Sequence, residues 1–297
     1  VNLVNALLLL ALSAIWGSSF IFMRYLAPIL GPVVTAGMRV LLAGVAMAGF
    51  FALIRFRPGW RKNWKHFLVI GLVNSGVPFL LYSFAALYLP ASLEAILNSL
   101  APLFGAVFSA IWLAERLTLR KVAGLALGIG GVVLVSSLAG FDRSPMGWLA
   151  FGACILAPAC YGLAGVYIRK RATGVPPMAM AGGSLLAAGL VMLPLLFIFP
   201  PRAAVSLPVA GITVGFALLC SAVAYVIYYR LIAQAGATSA LTVTLLVPIF
   251  AMVWELAFLG ERITATMVGG AAVVLAGTFL IAGPRLSRRA GQGQPSS

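Results

Sequence analysis

Acidic side chains are almost missing from this chain: five Asp and Glu among 297 residues, beside 20 Lys and Arg, one histidine and three cysteines. Acid–base and metal chemistry need such groups to converge. The acids Glu94, Glu115, Asp142, Glu255 and Glu261 are scattered, and His66 stands beside Lys65 at the mouth of an apolar run, where it reads as a charge anchor. Cys154, Cys160 and Cys220 sit inside apolar stretches without metal-ligand spacing and read as small core residues. No metal site, no catalytic residue and no cofactor is expected. The glycine-rich phosphate loop ending in Lys-Ser/Thr is also missing, which excludes ATP hydrolysis by this sequence as an energy source. An enzyme is the disfavoured class. The short alternating segments of a β-barrel are missing too.

Charge of either sign is scarce, at 8% of residues, where a soluble domain carries about a quarter. What fills the chain instead is apolar: 63% of residues, in runs that reach the ~20 a helix needs to cross a bilayer. The expected class is an all-α polytopic membrane protein with ten transmembrane helices. The spans are 4–25, 32–54, 66–88, 92–113, 119–138, 147–167, 177–199, 208–233, 238–258 and 265–283. Short Pro- and Gly-marked links join them, and the polar 284–297 segment reads as a disordered cytoplasmic tail. The first run continues into WGSSFIFMRYL with no small-residue cleavage site and reads as a retained helix.

A formal charge of +15 could suggest nucleic acid, but the basic residues fall in short clusters between apolar runs. That pattern sets topology. With both termini cytoplasmic, 15 Lys and Arg lie on or near the inner face, including Arg55, Arg57, Arg61, Lys62, Lys65, Arg169, Lys170 and Arg171. Five lie outside: Arg24, Arg39, Arg143, Arg202 and Arg262. The expected partners are the lipid bilayer and a small-molecule substrate, without nucleic acid; monomer and homodimer both stay open.

The chain repeats itself. ASLEAILNSLAPLFGAVFSAIWLAERLT (91–118) returns as ATSALTVTLLVPIFAMVWELAFLGERIT (237–264), laying Pro248 on Pro102 and Thr264 on Thr118. Trp16-Gly17 aligns with Tyr161-Gly162, Arg24 with Arg169, Tyr82 with Tyr228, Gly124 with Gly270 and Gly131 with Gly277. Residues 1–138 and 147–283 are thus two repeats of five spans. An odd number inserts the second copy upside down, giving a 5+5 inverted repeat, the construction that lets one site open to either face.

The order of WGSSF (16–20), the AERLT and GERIT endings and the glycine-rich fifth and tenth spans resembles the drug/metabolite transporter superfamily, EamA group. It is similar to the bacterial aromatic amino-acid exporters of that group. The resemblance implies export of small metabolites, amino acids among them, across the bacterial inner membrane; a multidrug or other metabolite efflux carrier is the alternative.

Polar and aromatic residues inside the spans mark a pathway through spans one, three, four, six, eight and nine. Asn98 and its copy Thr244 stand four residues before Pro102 and Pro248, where proline frees a carbonyl and kinks a helix. Polar groups in hydrocarbon face a cavity or bond a neighbouring helix. Trp16, with Ser19 nearby, Tyr82, Tyr161, Tyr225 and Tyr228 could line a central cavity suited to a flat, moderately apolar substrate, or pack as core. Arg39, Glu94 and Glu255 fall at similar depth, and an Arg39–Glu ion pair is expected to form when the outer gate closes. Thr118 and Thr264 read as N-caps, and Glu115-Arg116 as solvated punctuation.

Overall fold

A computed structural model describes residues 3–138, 143–235, 243–260 and 263–282. Its helices are α1 (Leu3–Leu30), α2 (Pro32–Leu53), α3 (Trp60–Ala85), α4 (Ala91–Trp112), α5 (Leu119–Leu138), α6 (Pro145–Arg171), α7 (Pro177–Ile198), α8 (Leu207–Ala217 continued through Ala224–Ala235), α9 (Val243–Leu259) and α10 (Ala265–Ala282). Among the described residues, eight of these are long and apolar enough to cross a bilayer, and α9 and α10 are shorter apolar helices. The protein is an all-α, multi-span membrane protein.

Helix starts follow local chemistry. Pro32, Pro145 and Pro177 sit in first turns, where a missing N–H removes no internal bond. Ser144 Oγ accepts the Gly147 N–H at 3.2 Å, Thr118 Oγ1 the Lys121 N–H at 3.4 Å and Thr264 Oγ1 the Met267 N–H at 3.2 Å. Both threonines therefore cap as expected. The α1–α2 corner turns on Gly31 at φ +80°, which a side chain would strain. Helix α3 begins at Trp60, six residues before its expected start. Its first turns carry Arg61, Lys62 and Lys65, which prolong the helix beyond the apolar run.

Among the described residues, three helices contain a wide (π) turn: Leu72–Gly76 in α3, Leu218–Val223 in α8 and Glu255–Leu259 in α9. Helix α4 is broken instead. It runs Ala91–Asn98, turns through Ser99 and Leu100, and resumes over Ala101–Trp112. Pro102 has no N–H to offer the Asn98 carbonyl, so the ladder restarts on Leu100, whose carbonyl accepts from Leu103 and Phe104. Pro248, by contrast, lies inside the continuous stretch Val243–Trp254.

Packing pairs the two halves of the sequence through their glycines, and the close approaches come as images of one another. A Cβ on Gly17 of α1 would meet Phe250 and Ala251 of α9; one on Gly162 of α6 would meet Phe104 and Gly105 of α4. The repeat alignment carries each of these residues onto its counterpart. Gly44 of α2 lies against Leu186 of α7, and Gly189 of α7 against Leu41 of α2. Gly124 meets Gly277 and Ile281, while Gly131 meets Val274. Along α5 and α10, rising numbers on one helix meet falling numbers on the other, so the two are antiparallel; the same holds for α2 and α7. Gly124, Gly131, Gly270 and Gly277 are thus covered across the α5–α10 contact, while Gly130 and Gly269 meet nothing within 4 Å.

Candidate functional site

Where α1, α3, α4, α6 and α8 meet, the aromatic residues come together. Trp16 is half-buried, with its ring 5.3 Å from that of Tyr228 and 6.3 Å, edge-on, from Tyr225. Phe20 meets Tyr82 edge-on at 5.5 Å, and Tyr82 lies 6.3 Å from Tyr161. Such pairs add about 0.5–1.5 kcal/mol each beyond burial. The break in α4 places Asn98 in this cluster: its Oδ1 accepts the Tyr82 hydroxyl at 2.9 Å. Ser19 contributes less, because its hydroxyl donates to the Trp16 carbonyl at 2.7 Å within α1. Thr244 lies half-buried near the described start of α9.

Arg39 meets neither glutamate. Its guanidinium lies 3.7 Å from the Phe79 ring centre and 4.7 Å from that of Phe216. Nε donates to Ser221 Oγ at 3.1 Å, Nη2 to the Cys220 carbonyl at 3.5 Å and Nη1 to Met23 Sδ at 3.8 Å. The ion pair expected from equal depth is not formed, because α2 turns Arg39 toward α3 and the wide turn of α8. A desolvated cation on a ring gains about 2 kcal/mol, and a hydrogen bond from a charged donor about 1.5–3. These offset an insertion cost of about 2.5–3.5 kcal/mol at a helix centre, but they leave the charge itself unneutralised.

The glutamates lie elsewhere. Glu255 Oε2 accepts the Ser92 N–H at 3.2 Å, placing its charge at the positive N-terminus of α4. Glu94 is fully buried one turn along α4, and neither carboxyl oxygen has a hydrogen-bond partner among the described residues.

The other end of α4 is tied by a polar cluster. Glu115 pairs with Lys121 at 3.2 Å and with Arg169 of α6 at 2.7 Å. Arg169 also donates to Ser109, and Lys170 to the Trp112 carbonyl at 3.1 Å. Partial desolvation pushes the Glu115 carboxyl up, but its Lys121 bond and the Arg169 charge outweigh this and hold it below the usual carboxylate range. Read locally, Glu115-Arg116 looks like punctuation; the partner that matters is 54 residues away. The available signal was the alignment itself, which sets Arg169 on Arg24 and Ser109 on Glu255. Glu261 and Arg262, the copy of this pair, lie outside the described residues, as do Asp142 and the 284–297 tail.

A family profile, the EamA-like transporter family, matches the chain twice, over residues 4–137 and 148–283. The chain belongs to the EamA-like transporter family. It is a multi-pass membrane transporter of small metabolites, not an enzyme. It is similar to the uncharacterized transporter YvbV of Bacillus subtilis (strain 168), at 27% identity over 93% of this chain and 91% of that one. It is 27% identical to a protein described as "Probable terminal-alkyne amino-acid exporter" of Streptantibioticus cattleyicolor, over 92% of each. A solved crystal structure superposes with a TM-score of 0.65 at 19% identity, over 93% of this chain and 95% of the other, and shares its fold.

Proposed function

We propose that this EamA-family carrier exports amino acids, aromatic and hydrophobic ones preferred, across the bacterial inner membrane. It does so by alternating access between two inverted five-helix halves, 1–138 and 147–283, with both termini cytoplasmic. The observation that carries this reading is the set of image contacts: α1 on α9 repeats α6 on α4, and α2 meets α7 antiparallel. A two-fold relation between antiparallel helices has its axis across the helices, in the membrane plane, so one conformation is converted into its opposite when the halves exchange roles. The twofold match of one family profile supports the same division.

The substrate cavity is formed by Trp16, Tyr82, Asn98, Tyr161, Tyr225, Tyr228 and Thr244, with Ser19 supporting Trp16 from within α1. Pro102, at the break in α4, and Pro248, inside the uninterrupted stretch of α9, are the hinges about which these helices open. Glu255 on the Ser92 amide, and Arg169 on Glu115 and Ser109, tie the two ends of α4 to the second half. Releasing one tie at a time would open one face at a time. Arg39, Glu94 and Glu255 stay gate residues in this scheme, Arg39 joining a glutamate only in another conformation. An amino-acid cargo is supported by the aromatic walls and by the amino-acid exporter of S. cattleyicolor.

The test is a proteoliposome uptake panel comparing tryptophan, phenylalanine, small polar amino acids and cationic drugs, run with wild type and Trp16→Ala. Tryptophan and phenylalanine should be preferred and should lose most in the variant. Equal rates for all compounds in both proteins would remove the aromatic site, and preference for the cationic drugs would favour a multidrug carrier.

A further inference from the structure

We propose that Arg39 is the anchor for a carboxylate on the transported molecule, which narrows the cargo to molecules with a single carboxylate, zwitterionic amino acids included, on an apolar or aromatic body; this rests on the transport reading above. Arg39 is the only buried cation among the described residues, and the ion pairs described there do not include it. Both glutamates buried in the bundle are placed elsewhere, so in this conformation the charge has no counter-charge among the described residues.

The geometry selects the kind of anion. Phe79 and Phe216 lie against the guanidinium, so a ligand approaches along its edge, in the plane. A guanidinium has five N–H groups, and three are engaged here. The Nε bond to Ser221 is the short one; the terminal nitrogens hold a carbonyl at 3.5 Å and a thioether sulfur at 3.8 Å. Each terminal nitrogen therefore keeps a second N–H, and a guanidinium with a free N–H on both terminal nitrogens can meet a carboxylate's two oxygens. A phosphate dianion would call for a second cation, and the aligned position in the other half is Ser184.

The fork also has a place for the rest of the molecule. Tyr161 and Tyr225 are within electrostatic reach of Arg39. Cys220, whose carbonyl it holds, contacts the Ile15 carbonyl through its thiol at 3.4 Å, one residue from Trp16. An anion at Arg39 thus has its body among the rings already described. Lysine, a point charge without a fork, should replace arginine only in part.

The experiment uses wild-type protein first. Labelled phenylalanine counterflow is challenged with phenylpropionate, which keeps the carboxylate and lacks the amine, and with phenethylamine, which does the reverse. The anchor predicts that phenylpropionate competes and that phenethylamine is at least about tenfold weaker, as expected when a polar site is left unfilled. Phenethylamine competing as well as or better than the acid would overturn it. The same two compounds are read by thermal shift of the purified protein, which needs no transport: stabilisation by the acid alone supports the anchor, and stabilisation by neither or by the amine overturns it. An acid-dependent shift with no phenylalanine flux would sink the amino-acid export reading and leave the anchor standing. Arg39→Gln should raise the KM for phenylalanine at least about tenfold, with partial recovery in Arg39→Lys; an unchanged KM in Arg39→Gln contradicts the proposal. Should the variants fail to assemble, the wild-type comparisons still decide.

Discussion

At the scale of single residues, position within the bundle decides what a polar group does. Glu115 and Arg169 make their bond where both are partly open to water, at 38% and 50% exposure. Its worth for stability is therefore small, about 0–1 kcal/mol. Because the Glu115 carboxyl is held below its ordinary value, the bond contributes at neutral pH and is lost as pH falls through that lowered value. Glu115→Gln should therefore lower the melting temperature slightly near neutrality, with the difference fading on acidification. A difference that grows on acidification contradicts this. Trp16 belongs to the other regime: half-buried, with two tyrosine rings against it, its loss should fall on aromatic cargo. Trp16→Ala should cut tryptophan uptake at least about tenfold while sparing small polar amino acids, the scale of one large apolar contact. Parallel losses for both would point to general damage instead.

At the scale of helices, small residues set how closely the axes approach. Gly131 and Gly130 are neighbours on α5 with opposite surroundings. A Cβ at Gly131 would stand 2.6 Å from a Val274 methyl and 2.8 Å from its backbone nitrogen, and one at Gly130 meets nothing within 4 Å. Helix propensity favours alanine at both sites by about 1 kcal/mol. Crowding opposes it only at Gly131, by about 1–3 kcal/mol. Gly131→Ala should lower the detergent melting temperature and Gly130→Ala should hold or raise it; equal effects would deny the α5–α10 contact. Much at this scale was legible beforehand. Apolar runs gave helix existence and type, proline gave the α4 break, and threonine spacing gave two caps. The ends of α3 were not legible, because an amphipathic turn such as WRKNWKH carries no hydropathy signal for a span. Arg39's partners were not legible either. Depth along a helix follows from numbering, but the direction a side chain takes depends on how α2, α3 and α8 are rotated, and the wide turn Leu218–Val223 is invisible in composition.

At the scale of the whole molecule, image contacts and a twice-matched family profile belong to one design, in which neither half buries its glycine faces alone. Carrier behaviour follows from that design if the halves exchange roles around a single site. The most direct measurement is counterflow of labelled phenylalanine in proteoliposomes preloaded with unlabelled phenylalanine. The account predicts saturable uptake, accelerated by substrate on the far side and transiently exceeding equilibrium. Flux that rises linearly with concentration and ignores the far side would contradict it, since a pore needs no exchange of conformations.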